Sequence, residues 1–589
     1  MSRRINKFGW IGIWILVFAL SIIGVLKTVY ISADIDESYT VTMACRLIKG
    51  DRLFLDMWEL HQTSALLYAP FVWLFQKLHG SVIGMLVYLR IVGICIQGLL
   101  AVFMYRTCKH YMSGNSAGLL AMLFFNFTPK HIQSPEYTLM CYWGLVLTMM
   151  SLLQFYEKQK SRHSFLYLTA AAIGLCVTVL SYPAAVFLIF PFLAVIAYLT
   201  ESDGDGKEGQ HGLRKVQIWK NMGIFAGICM ACAVLFMGYV LSGTTLKELV
   251  ETVAYVFMDE SHEQVISQHI WSHLQYFGDM LKVTLPAVLI CHIGRRLWRK
   301  LRKKENHLLA SGLLAFQSVY ALVQFHTINN VNFLIFFPII LQILVIGIYF
   351  YLSYEKTRKD RVLFYTMIVP NLFLVAAVLL SSNLTANYSM SFLFPALLAG
   401  LYIIGRSFWG KDLKKPAGGI LVGRTAVVLS AVVLIGMVFT SRIFLVRYTA
   451  TQRLNVFEPN YKAWHGVLSG IRLGDTDYRQ YEWKTASLHE HVTKDDVFLY
   501  VGADMFLYGE TEAEIGTGNT ISTPAFGEQL LAYYERFPDK KPTVIFVDCE
   551  YTMDYRIWLE KEPFGSFIRE NYGEPVIEGP LYIYKHVGF

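Results

Sequence analysis

The sequence predicts a polytopic α-helical membrane protein with interfacial helices in its first outer loop and a small extracytoplasmic α/β domain at its C-terminus. Three observations carry this. Of the 589 residues, 54% are hydrophobic and only 16% charged, against about 25% charge in soluble domains. Runs of about 20 apolar residues, long enough to cross the hydrocarbon core, recur up to residue 441. Lysines and arginines crowd every second connection between those runs, as the positive-inside rule requires. A net charge of +8 would suggest nucleic acid in a soluble chain. Here membrane topology accounts for it, and no nucleic-acid partner is expected.

The first run, 8–30, follows Arg3, Arg4 and Lys7. It is longer than the core of a signal peptide, roughly 7–15 residues, and lacks a small-residue cleavage site. It reads as a retained span. Twelve more follow near 84–105, 116–132, 138–156, 164–180, 183–200, 221–242, 277–294, 308–325, 331–352, 362–380, 390–408 and 420–441. With a cytoplasmic N-terminus, thirteen crossings leave the C-terminal part outside. The run 64–78 is short, contains Pro70 and ends in Gln76, Lys77 and His79. Were it to cross, every later basic connection would change sides, so it reads as an interfacial helix. Residues 1–446 thus form the membrane domain, with outer loops at 31–80 and 242–276. The second of these holds His262, His269 and His273. Their spacing suits an amphipathic outer helix better than a metal site.

From residue 447 the apolar runs shorten. Asp496–Gly502, Thr543–Asp548 and Leu581–Tyr584 read as strands, and Pro524–Phe537 and Asp554–Tyr572 as helices. No Gly-x-Gly-x-x-Gly or phosphate loop occurs, so this α/β domain, 447–589, is assigned no nucleotide cofactor. The nine cysteines fall mostly inside apolar runs and predict no disulfide framework.

The residues that suggest chemistry lie between Asp34 and Pro70. Asp34, Asp36 and Glu37 directly follow the first span, at a membrane edge where a carboxylate is costly and usually has a task. Tyr39, Thr40, Met43, Ala44, Leu47 and Ile48 then form one helical stripe. Asp36 is placed to cap this helix and Gly50 to end it. Downstream come Leu53-Phe54-Leu55-Asp56, Glu59-Leu60-His61-Gln62 and Tyr68-Ala69-Pro70.

This pattern resembles the first outer loop of glycosyltransferases of the C fold, in particular the protein O-mannosyltransferase and aminoarabinose transferase group. The resemblance covers the N-terminal third in motif and the remainder in topology. It implies transfer of a sugar, with inversion, from a polyprenyl phosphate to an extracytoplasmic glycan, lipid or protein, in a bacterial cell membrane. Asp36 is then the general base that takes the acceptor's proton. Glu37 is its partner and Asp34 the reserve. The aminoarabinose branch has Lys-Pro-Pro where this chain has His61-Gln62-Thr63. A phosphate-binding lysine does not carry over, and His61 stands in its place. Arg90 is a candidate for the donor phosphate, with snorkelling to the interface as the alternative. Glu136, followed by Tyr137, sits in the next outer connection. It either faces the site or serves the start of its helix. His326, Asn329, Asn330, Asn383 and Tyr388, in later outer connections, suit sugar hydroxyls and phosphate oxygens, or helix capping. Asp34 and Asp36 offer a place for Mg²⁺ or Mn²⁺, which the resembling branches do not generally need. The rival reading is a transporter or flippase of lipid-linked saccharides, which would show internal repeats and mid-bilayer polar residues. A polysaccharide polymerase or ligase shares the donor chemistry but carries paired arginines in a large outer loop, absent here.

Overall fold

The computed structural model describes residues 2–129, 133–202, 211–256, 266–302, 307–327, 336–381, 389–409, 418–447, 452–453, 455–521, 527–549 and 555–586. Ten of its helices are long and apolar enough to cross a membrane, and eleven if one bent pair counts as a span. The expected spans are found as helices, but three differ in form. The run 116–132 yields only Gly114–Asn126, because Pro129 follows and bars the preceding residue from helical backbone. The run 277–294 straddles a 60° break between helices 268–281 and 284–302. Pro286 cannot bond the carbonyl of residue 282, so the helix is interrupted there. The run 331–352 is described from Phe336 onward, as Phe336–Ser353.

Close helix approach holds the bundle together. An added Cβ on Gly144 would lie 2.6 Å from Gly174 O, so the helices Tyr137–Glu157 and Ser164–Ser181 meet backbone to backbone. Thr148 bridges them, donating to Ala171 O at 3.1 Å. Small residues are what such contact requires inside a bilayer.

The connections segregate by end. At one end Lys359 donates to His110 O at 2.5 Å and Tyr402 to Tyr111 O at 2.7 Å, while Gln159 reaches Leu199 O at 2.8 Å. Arg406 pairs with Asp360 beside them. At the other end Thr63 donates to Leu180 O at 2.6 Å, and Gly84 N to Gly466 O at 2.9 Å. The basic connections thus share one end and the acidic first loop the other. We expect a reporter inserted after Arg302 to read cytoplasmic and one fused to the C-terminus extracytoplasmic. Both reporters on one side of the membrane would overturn the span count.

The helix Ala65–His79 has 15 residues, about 22 Å at 1.5 Å per residue, against a core of about 30 Å. It packs on the helix Ile35–Lys49 and on the start of Met85–Cys108.

The C-terminal part builds a five-stranded sheet in the spatial order 514–515, 497–501, 544–548, 581–585, 576–578. The first three strands are parallel; the fourth, 581–585, runs antiparallel to both its neighbours. Val497–Val501 and Val544–Asp548 are buried throughout, as central strands covered on both faces are. The sequence reading missed the helix Asp475–His491, whose exposed charged face leaves little periodicity. The expected helix 554–572 is two, Tyr555–Lys561 and Pro563–Asn571. Pro563 starts the second, where a missing N–H costs nothing.

This domain is seated on the first outer loop. Thr42 donates to Met505 O at 2.7 Å, and Trp58 N to Gly518 O at 2.7 Å. The Trp58 ring stacks on Tyr255 (4.4 Å, 8°) and meets Tyr533 edge-on (5.0 Å, 87°). Such aromatic pairs contribute about 0.5–1.5 kcal/mol each beyond area burial.

Candidate active site

The first helix after the membrane edge, Ile35–Lys49, is started by Asp34 rather than Asp36. The Asp34 carboxylate accepts the Asp36 N–H at 2.9 Å, and Glu37 accepts the Asp34 N–H at 3.2 Å. This is a reciprocal capping box. It corrects the expectation that Asp36 caps the helix. Gly50 ends the helix with φ +107°, as expected. The consequence for chemistry is direct, since capping ties up Asp34 and leaves the Asp36 side chain to face the site.

Asp36 is half-buried and accepts a hydrogen bond from the Tyr137 hydroxyl at 3.1 Å. The His61 ring lies flat on Tyr137, with centroids 3.9 Å apart and planes at 11°. Tyr182 leans on His61 at 4.9 Å, and Tyr39 meets Tyr137 edge-on at 6.2 Å. The structure therefore brings together Asp36, His61 and Tyr137 from three separate stretches of chain. Tyr39 and Tyr182 were missed. Tyr39 follows Asp36 by three positions on one helix face, and Tyr182 sits in a two-residue outer connection. Those placements were the available signals.

Glu37 and Arg90 form a second centre behind the first. Arg90 grips Glu37 through Nε at 2.9 Å and Nη2 at 2.5 Å, and Ser134 donates to the same carboxylate at 2.8 Å. Arg90 also donates to Thr28 O at 3.0 Å and Ser32 O at 2.7 Å. Both side chains are buried. This buried geometry is not the snorkelling alternative. Arg90 gathers the carbonyls at the end of the first span, where Ser32 adopts the left-handed φ of 63°.

Glu136 serves the start of its own helix. Its two carboxylate oxygens accept the Thr138 and Leu139 N–H groups, each at 2.6 Å. It starts the helix that carries Tyr137, so the helix-serving alternative describes its geometry. The connection that holds it runs close under the neighbouring span. A Cβ on Gly93 would lie 1.7 Å from Gln133 O. We expect Gly93→Ala to push residues 133–137 outward, with a cost of about 1–3 kcal/mol for overpacking and a matching loss of rate. Paired melting and initial-rate measurements check this. An unchanged rate would mean that Tyr137 need not be held.

The far half of the loop is fixed by Arg46, which is fully buried. It donates to Asp51 at 2.7 Å, Glu59 at 3.3 Å, Asp56 O at 2.6 Å and Gly518 O at 3.2 Å. Burial pushes the Glu59 carboxyl above its ordinary range, against the opposing pull of Arg46. Thr520 meets Glu59 through its hydroxyl at 2.9 Å. His61, two residues on, is thereby held on Tyr137.

Among the described residues, Asp34 and Asp36 belong to no set of three potential ligands close enough to share a metal ion. Asp34 gives one carboxylate oxygen to the cap, and among the described residues no third such ligand joins the pair in the place it offers to Mg²⁺ or Mn²⁺. Asn329, Asn330, Asn383, Tyr388 and the His326 side chain lie outside the described residues.

No family model and no curated protein matches the chain. In structure it is similar to ArnT from Cupriavidus metallidurans bound to undecaprenyl phosphate, over 98% of each chain, at 11% identity and a TM-score of 0.48. It is similar to the archaeal oligosaccharyltransferase AglB from Archaeoglobus fulgidus, in complex with an inhibitory peptide and a dolichol-phosphate. That likeness covers 99% of this chain and 74% of AglB, at 10% identity and a TM-score of 0.43. At such values no residue correspondence carries over, and the functional reading rests on the site itself.

Proposed function

We propose that this chain is an inverting glycosyltransferase of the C-fold type that moves a sugar from a polyprenyl phosphate to an extracytoplasmic acceptor. The observation that supports it most is the Asp36 carboxylate. It is half-buried at the end of the first span, excused from capping, and oriented by the Tyr137 hydroxyl. In this reading Asp36 accepts the proton of the acceptor hydroxyl as that oxygen attacks the anomeric carbon. The bond to the lipid phosphate breaks on the opposite face, which inverts the configuration. Charge then builds on the departing phosphate, and His61 is the group placed to donate to it. Tyr137 orients Asp36 and, through stacking, His61. The Glu37–Arg90 pair holds the frame without touching substrate. The domain from residue 447 onward, seated on the loop, forms the acceptor side.

The test is conversion of an undecaprenyl-phosphate-linked radiolabelled sugar by the full-length protein reconstituted in lipid vesicles. We expect label to leave the lipid fraction and appear in a glycoside of inverted anomeric configuration. Unaltered donor that merely crosses a vesicle bilayer would replace this reading with the transporter, and a product of retained configuration would remove Asp36 as base.

A further inference from the structure

The helix Thr284–Arg302 does not stop where its neighbour stops. Its Arg295 donates to the Tyr349 hydroxyl at 3.2 Å and lies over the Tyr354 ring at 4.2 Å. The neighbouring helix, Phe336–Ser353, ends there. Seven more residues of Thr284–Arg302 follow Arg295, about 10 Å at 1.5 Å per residue. All seven are exposed. They project from the end of the bundle that carries the basic connections, away from Asp36.

The projection reads Arg-Leu-Trp-Arg-Lys-Leu-Arg. At 3.6 residues per turn, Leu297, Trp298 and Leu301 fall within an arc of about 100°. Arg296, Arg299, Lys300 and Arg302 share the rest of the circumference. No acid occurs anywhere in Thr284–Arg302. Arg302 lies over the Trp298 ring at 5.9 Å. Among the described residues Arg296, Arg299 and Lys300 make no ion pair or hydrogen bond. On the other side Leu297 is 56% exposed, Trp298 42% and Leu301 79%. A helix of this kind buries its apolar stripe at the boundary of headgroups and acyl chains, the depth that tryptophan favours. From there arginine and lysine stems reach outward, and guanidinium groups pair with phosphate oxygens. Cations and apolar side chains thus share the same two turns.

We propose that residues 296–302 are a binding surface for anionic membrane phospholipid. Leu297, Trp298 and Leu301 sit among its acyl chains, and Arg296, Arg299 and Lys300 meet its phosphates. The occupant is lipid rather than an acidic protein helix. The segment continues a spanning helix and so already stands at the bilayer surface, where an anionic leaflet supplies the complementary charge. Positive charge alone does not make the surface. Lys158, Lys160 and Arg162 are exposed at the same end, but residues 158–163 carry no apolar stripe.

The experiment titrates the full-length protein in dodecylmaltoside with phosphatidylglycerol or phosphatidylcholine and counts retained lipid by native mass spectrometry. We expect the parent to hold phosphatidylglycerol at least tenfold more tightly than phosphatidylcholine. Arg296→Gln/Arg299→Gln/Lys300→Gln should lose that preference. Leu297→Ser/Leu301→Ser, which keeps every charge, should lose most of the phosphatidylglycerol retention. Lys158→Gln/Lys160→Gln/Arg162→Gln removes as many charges from the same end and should bind like the parent. Equal retention of the two lipids by the parent would overturn the proposal and leave the surface to an acidic protein partner. Equal losses in the two charge variants would show a general attraction to a basic surface, and would overturn it too. So would a Leu297→Ser/Leu301→Ser protein that binds like the parent, or displacement of phosphatidylglycerol by inorganic phosphate. Because the lipid comparison is made on the parent, it decides the matter even if a variant fails to fold.

Discussion

Replacing Asp36 with asparagine is expected to cut sugar transfer by about 10²–10⁴-fold, the usual contribution of a positioned general base, which corresponds to roughly 3–5 kcal/mol of barrier. Melting should not change. Asparagine keeps the size and still accepts from Tyr137, and the helix keeps its Asp34 cap. Asp34→Ala should show the reverse pattern. Losing an N-cap costs about 0.5–2 kcal/mol of stability, with rate affected only through the position of Asp36. If Asp36→Asn transfers sugar at near the parental rate, Asp36 is not the base and the proposed mechanism fails. If both variants lose rate equally and both melt early, the loop's structure matters rather than a proton at Asp36.

Arg90→Gln is expected to be the most destabilising single change at the site, by about 3–5 kcal/mol, since removing one member of a buried ion pair leaves the other charge uncompensated. Glu37 would keep the Ser134 hydroxyl and the Asp34 N–H but no cation, and the carbonyls of Thr28 and Ser32 would lose the Arg90 donor. The measurable result is a much lower Tm, or loss of folded protein at 37 °C, whatever donor lipid is present. The double variant Glu37→Leu/Arg90→Met should recover much of that loss, because well-packed apolar replacements of such pairs are often neutral. Normal stability with weakened donor binding in Arg90→Gln would instead return Arg90 to the phosphate.

The spans were legible because twenty apolar residues in a row admit few other readings. What blurred was local. Proline at 129 and 286 shortened or broke helices that hydropathy alone runs together. The capping assignment missed by two residues although the sequence held the answer. A capping box needs an acid three positions after the cap, and Glu37 stands three after Asp34, not Asp36. At the site, Asp36 and His61 could be chosen because both lie on one short loop. Arg90 could not be placed, since nothing in the sequence says that its guanidinium turns toward Glu37 rather than outward. Trp58 carried no signal, Arg46 was one residue of a helix, and Glu59 was only part of the motif around His61. Their partners, Gly518, Thr520 and Tyr533, lie more than 450 positions away, and no periodicity reports a contact of that range.

That separation has a consequence for how the molecule is made. Thr520 meets Glu59 from 461 positions downstream. At roughly 5–20 residues per second, the ribosome reaches it about 20–90 s after Glu59 has emerged. Through that interval the first loop has its own internal pairs, Arg46 with Asp51 and Glu59, but no roof. A chain terminated before Met505 would hold every span and every nominated catalytic group, yet lack the surface against which Thr42, Trp58 and Glu59 are held. In the proposed reading, the loop that carries Asp36 is finished last although it is synthesised nearly first, so incomplete chains would lack competence.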